Sequence, residues 1–191
     1  MKKLLFNPFE DYSEKQLVFF GLLLTIAGSL LGMVFNGRFD GMLDLHFVND
    51  SGYQPFLDNL IAILSSTLVF FIAARFINNR TRLIDILTAS LISRAPIYIL
   101  TVFNANNLMN DITEKLMLSV TPEDIDAIST QDIMILSAFS FLGILFLIWF
   151  FILLWNGFKT ASNAKGTRHI LLFILAIVVG EVISKIIFNF I

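Results

Sequence analysis

The chain has 191 residues, 57% of them hydrophobic and only 15% charged, with a formal net charge of −2 and a mean hydropathy of +0.80. A water-soluble domain of this length has no means of burying so much apolar surface, so a soluble fold is excluded. The chain has no cysteine, which excludes disulfides, thiolate metal sites and thiol catalysis.

Residues 1–15 read as a short amphipathic lead-in on the cytoplasmic side. Met1-Lys2-Lys3-Leu4-Leu5-Phe6 begins like a signal peptide, but Asn7-Pro8 and then Glu10 and Asp11 interrupt it, so the segment is expected to be retained. Asn7 as N-cap, Pro8 at the first helical position and Glu10 closing a capping box predict a helix start here. Leu4, Leu5, Phe6, Phe9 and Tyr12 would then lie among lipid headgroups while Lys2 and Lys3 meet anionic lipid.

No charged residue falls between Lys15 and Arg38, which predicts a first membrane span over 16–36. Its Gly28-Ser29-Leu30-Leu31-Gly32 segment suits close helix packing within a bundle. Residues 37–55 form an acidic loop holding Asp40, Asp44, His46 and Asp50. Alternation of Leu43, Leu45 and Phe47 with Asp44 and His46 predicts a short extended piece. His46 beside carboxylates offers metal-ligand types, but a solvated polar loop is the simpler reading and no metal is assigned. The second span covers 56–78, with Asp58 and Arg75 near its ends and able to snorkel.

The third span, 84–104, contains Leu91-Ile92-Ser93-Arg94-Ala95-Pro96-Ile97-Tyr98-Ile99-Leu100. A charge at the centre of a membrane helix costs about 2.5–3.5 kcal/mol on insertion scales, so Arg94 needs a partner. Pro96 removes an amide and predicts a kink one turn below it. Ser90, Arg94, Tyr98 and Thr101 share one stripe, which should face the bundle interior. Loop 105–132 predicts one or two short surface helices, one of them opening at Thr121-Pro122-Glu123-Asp124.

The fourth span, 133–157, is free of charge, with Trp155 placed for an interfacial belt. A basic, turn-rich loop follows. The fifth run, 169–191, holds 16 Leu, Ile, Val and Phe residues alongside Glu181 and Lys185. The apolar residues contribute roughly −5 to −9 kcal/mol against about +5 to +7 for the two charges, so packing against partners must complete insertion. Ala176, Gly180 and Ser184 form a small-residue stripe suited to that contact. The chain thus reads as one all-α domain over 1–191, an integral membrane bundle of five transmembrane helices.

With five spans, Lys2, Lys3, Lys15, Arg75, Arg80, Arg82, Lys159, Lys165 and Arg168 fall on one side, and only Arg38 and Lys115 on the other. The positive-inside rule therefore puts the N-terminus in the cytoplasm and the C-terminus on the far side. Arg75, Arg80, Arg82, Lys159, Lys165 and Arg168 become candidate contacts for anionic lipid. Arg94 and Glu181 then lie at matched depth, about 16–18 Å along their helices. They are predicted to form a buried charge cluster with Lys185. Because Lys185 could shelter Glu181 but only repel Arg94, Glu181→Leu is expected to do more harm than Arg94→Leu.

The Asn7-Pro8-Phe9 lead-in, Phe71-Ile72-Ala73-Ala74-Arg75-Phe76 linked to the Pro96 span, Trp149 to Phe158 followed by Lys159-Thr160-Ala161-Ser162, and the Gly-Thr-Arg entry to the last span form one pattern. It resembles the bacterial branch of the Ypt-interacting-protein (Yip) domain family over nearly the whole chain. The resemblance implies five helices with a cytosolic N-terminus, and the bacterial inner membrane is the expected location. Eukaryotic relatives bind Rab-type GTPases, act in vesicle traffic and carry a longer cytosolic N-terminal region. Residues 1–15 stand in its place here, a departure that weighs against a GTPase partner.

A non-enzymatic membrane-organising, trafficking-type or adaptor protein is the favoured function. The alternative is a small transporter or lipid-translocating protein using the Arg94/Glu181 pair. No HExxH, GxSxG, P-loop or dinucleotide motif is present, so neither enzyme activity nor a cofactor is expected. Expected partners are membrane lipids and protein partners or further copies of the chain, not nucleic acid.

Overall fold

The computed structural model describes residues 2–118 and 129–190. Helix α1 (Lys2–Phe6) leads through a 3-10 turn (Pro8–Glu10) into α2 (Glu14–Val34). A two-residue hairpin, β1 (Gly37–Arg38) and β2 (His46–Phe47), follows, and then α3 (Gln54–Ile77). The third crossing is broken into α4 (Leu83–Ser93), α5 (Ala95–Leu100), a 3-10 stretch (Thr101–Asn107) and α6 (Leu108–Leu118). Helices α7 (Thr130–Ser162) and α8 (Thr167–Phe188) complete the chain. Five of these segments are long and apolar enough to cross a membrane, so the protein is an all-helical integral membrane bundle.

The most polar crossing is also the innermost. Of its most apolar window 72% is buried, against 6% for α7, whose surface is left for lipid. Helix α4 packs against α2, α3 and α7, while α3 packs against α8. The aromatic rings of Phe70, Trp155, Phe158 and Phe173 stack where α3, α7 and α8 meet, with centroids 5.0–6.2 Å apart. Both glycines of the Gly28-Ser29-Leu30-Leu31-Gly32 segment face inward. A Cβ on Gly28 would sit 2.2 Å from the Tyr98 ring, and one on Gly32 would sit 2.8 Å from Pro55, so the pattern serves contacts inside this chain.

Local sequence sets the ends. Gln16 Oε1 accepts the Ser13 N–H (3.0 Å), so the capping box closes at Ser13 and Gln16. The box expected at Asn7 and Glu10 does not form: Asn7 makes no side-chain cap, and Pro8 opens only a 3-10 turn. Ser129 caps α7 by accepting the Asp132 N–H (3.1 Å). The helix start read at Thr121-Pro122-Glu123-Asp124 lies outside the described residues.

Candidate functional site

The loop between β1 and β2 turns back into the bundle instead of staying in water. Phe39 and Met42 are 0% and 1% exposed, and both belong to the main apolar core. Two anchors seat the loop. At its root, Arg38 pairs with Asp58 (Nε to Oδ2 2.6 Å, Nη2 to Oδ1 3.1 Å), and the Phe39 N–H donates to the same carboxylate (3.1 Å). Asp58 is therefore buried and does not snorkel to the interface, because the loop brings a cation to it. At its tip, the Met42 N–H donates to Ser184 Oγ (3.1 Å) and the Leu43 N–H to Glu181 Oε2 (2.9 Å). The small stripe of α8 makes room for this: a Cβ on Gly180 would lie 3.2 Å from Met42 Sδ.

Arg94 occupies the break of the third crossing, ending α4 and opening α5, with Pro96 in the first turn of α5. Its side chain is buried and enters the same centre. Nη1 donates to the Met42 carbonyl (3.1 Å) and Nε to Asn59 Oδ1 (3.2 Å). The rings of Phe39 and Tyr98 flank the guanidinium at 5.8 and 5.9 Å. Asn59 passes the network on through Nδ2 to Ser29 Oγ (2.9 Å).

The expected direct pair of Arg94 with Glu181 is not among the ion pairs of the described residues. A single peptide group stands between them. Its carbonyl (Met42) accepts from Arg94, and its N–H (Leu43) donates to Glu181. A peptide group carries a dipole of about 3.5 D, here aligned with oxygen toward the cation and hydrogen toward the anion. Lys185 is more than a third exposed and pairs with Asp44 of the loop, so it does not complete a buried cluster. The physical reason is the loop itself, which supplies backbone and acidic partners that helix geometry alone cannot foresee.

On the outer side of the loop His46 Nδ1 lies 2.9 Å from Asp40 Oδ1. The Asp40 hydrogen bond and charge raise the His46 pKa above its usual value despite burial. Burial pushes Asp40 up, but its hydrogen bond and charge interaction with His46 prevail and leave it lowered. The ligand atoms of Asp40, Asp44 and His46 fall within 4.8 Å of one another. Lys185 already neutralises Asp44 there.

The opposite face carries Arg75, Arg80, Arg82, Lys159, Lys165 and Arg168, all exposed. Arg75 bonds the Asn79 carbonyl, and Arg82 is held by Glu14 and Asp85. Helix α1 lies against α7 on this side. Trp149 Nε1 and Asn156 Nδ2 donate to the Leu5 and Phe6 carbonyls (both 2.7 Å), which a helix end would otherwise leave open.

The residues missed in the sequence are Asn59, Ser29, Asp58 and the Met42–Leu43 peptide. Asn59 beside Asp58 in the first turns of α3 was the available signal. Phe39 and Met42, apolar residues in an acidic loop, were the other.

Neither the curated proteins nor the solved structures contain a match to this chain. The family model described as Yip1 domain matches residues 3–184, across every crossing and both faces of the site. The chain belongs to the Yip1 domain family of membrane proteins.

Proposed function

We propose that the protein is a non-enzymatic membrane-organising or adaptor protein of trafficking type, with the face bearing its N-terminus in the cytoplasm of a bacterial cell. The nine-to-two division of basic residues supports that orientation. One observation carries the reading: Arg94 and Glu181 are both engaged by the inserted loop, which closes the centre of the bundle. A buried charge tied to backbone in this way fixes helix positions rather than lining a path. The rigid bundle then presents Arg80, Lys159, Lys165 and Arg168 to anionic lipid or to a protein partner.

A second reading, lipid translocation or small-molecule transport, draws on Arg94 Nη2, which is buried with no hydrogen-bond partner among the described residues. A fluorescent-lipid assay in proteoliposomes separates the two. Dithionite should bleach only outer-leaflet lipid, with or without the protein. Protein-dependent bleaching of the inner leaflet would overturn the adaptor reading and favour translocation. A photocrosslinker at Asn79 should give a discrete protein or lipid adduct in cells, which no crosslinker on α8 reproduces.

A further inference from the structure

Two cavities adjoin on the face that carries the N-terminus, sharing Tyr12 and Leu17 as a common wall. The outer one, about 320 Å³, is polar and is lined by Glu14, Arg82, Asp85, Thr88 and Thr160. Arg82 Nη2 lies 2.6 Å from both Glu14 Oε2 and Asp85 Oδ1. The inner one, about 530 Å³, is apolar and runs among Leu4, Phe20, Ile92, Ile99, Trp149 and Leu153. Both volumes fall in the range of small-molecule sites.

We propose that together they bind one aminophospholipid of the ethanolamine type. Its phosphate meets Arg82, its ammonium meets Glu14 and Asp85, and one acyl chain fills the apolar cavity. This goes beyond the adaptor reading and does not depend on it.

Charge selects the headgroup. Two carboxylates around one guanidinium leave the outer cavity with a local excess of one negative charge. A net-anionic headgroup adds to that excess, whereas a zwitterion offers each sign its complement. A primary ammonium brings three N–H donors for the carboxylates, and a trimethylammonium brings none. Depth selects the tail. The apolar lining of α2 extends to Leu24, ten residues beyond Glu14. That is about 15 Å at 1.5 Å per residue, the half-thickness of a bilayer core. The outer wall is held in place, since α1 is moored to Trp149 and Asn156. Phe9 sits against Gly157, where a Cβ would come within 3.0 Å of its ring.

The test is native mass spectrometry of the full chain, extracted from nanodiscs of phosphatidylethanolamine, phosphatidylcholine and phosphatidylglycerol with identical acyl chains. The ethanolamine lipid should be retained about tenfold over each of the others. Glu14→Gln with Asp85→Asn should erase the preference over choline lipid. Arg82→Gln should weaken retention of all three. Ile99→Trp, at a partly exposed wall position, should fill the tail cavity and do the same with unchanged helicity and Tm. Soluble glycerophosphoethanolamine should not displace the lipid. Equal or stronger retention of phosphatidylglycerol, an unaltered preference in the double variant, or displacement by the free headgroup would each overturn the proposal.

Discussion

Arg94 holds its place through three kinds of partner at once: a backbone carbonyl, the Asn59 amide and two aromatic faces. Replacing it with Leu strands the Met42 carbonyl and Asn59 Oδ1 in a buried site and should cost about 3–5 kcal/mol. Glu181→Leu leaves Arg94 its own acceptors and removes one acceptor from a partly buried N–H, at about 1–2 kcal/mol. The order is thus the reverse of that expected from a direct pair. The double Leu variant should show no rescue, because the peptide between them loses both partners. Thermal unfolding in detergent of all four proteins checks this, and recovery in the double variant would speak for direct contact. Gly28→Leu belongs beside these: the Tyr98 ring occupies the space, so unfolding should shift down by about 1–3 kcal/mol or more.

At the scale of elements, the inserted loop is the part that responds to pH. His46 has a raised pKa, so its contribution is complete below the ordinary value of 6.5 and is lost as pH rises through the raised one. Asp40 is lowered, so its share is present above 3.8 and is lost only as acid titrates it below that value. Between those limits both partners are charged. Hydrogen exchange across Arg38–Phe47 should therefore quicken beyond its intrinsic rise only as pH climbs above 6.5, and His46→Gln should remove that excess. The crossings themselves were legible because long, mostly apolar runs of about 20 residues must satisfy their backbone groups within the segment, as a helix does. The break at Arg94 was signalled by a charge and a proline in one run. The loop was not legible: Asp40, Asp44 and Asp50 suggested solvation, while the residues that seat it, Phe39 and Met42, are few. Its partners Glu181 and Ser184 lie more than 130 residues away, beyond the reach of any local pattern.

For the whole molecule, the five candidate spans among the described residues predict that Lys2 and Ile191 lie on opposite sides of the membrane. Reporter fusions before Lys2 and after Ile191 should report opposite compartments, and agreement between them would rule out the odd number. The exposed cations of the N-terminal face predict a second bulk property. Changing Arg80, Lys159, Lys165 and Arg168 to Gln should weaken association of flanking membrane surface with anionic lipid, with the difference fading as salt rises above about 0.15 M. Arg82 is left out of that set because it lines the outer cavity with Glu14 and Asp85, whose lipid is tested separately.

The anchoring of the loop on α8 also fixes an order of events during biosynthesis. Met42 bonds Ser184 and Leu43 bonds Glu181, across 142 and 138 residues of chain. At roughly 5–20 residues per second, the first hairpin waits about 7–28 s for α8 to be made, and the charged break of the third crossing about 4–17 s. Throughout that interval Met42 N–H and Leu43 N–H have no acceptor from α8, and Arg94 can bond only Asn59 and a loop not yet pinned. Emergence of α8 from the ribosome is therefore the step that closes the bundle, and a chain halted before Glu181 carries an unlatched centre into the bilayer.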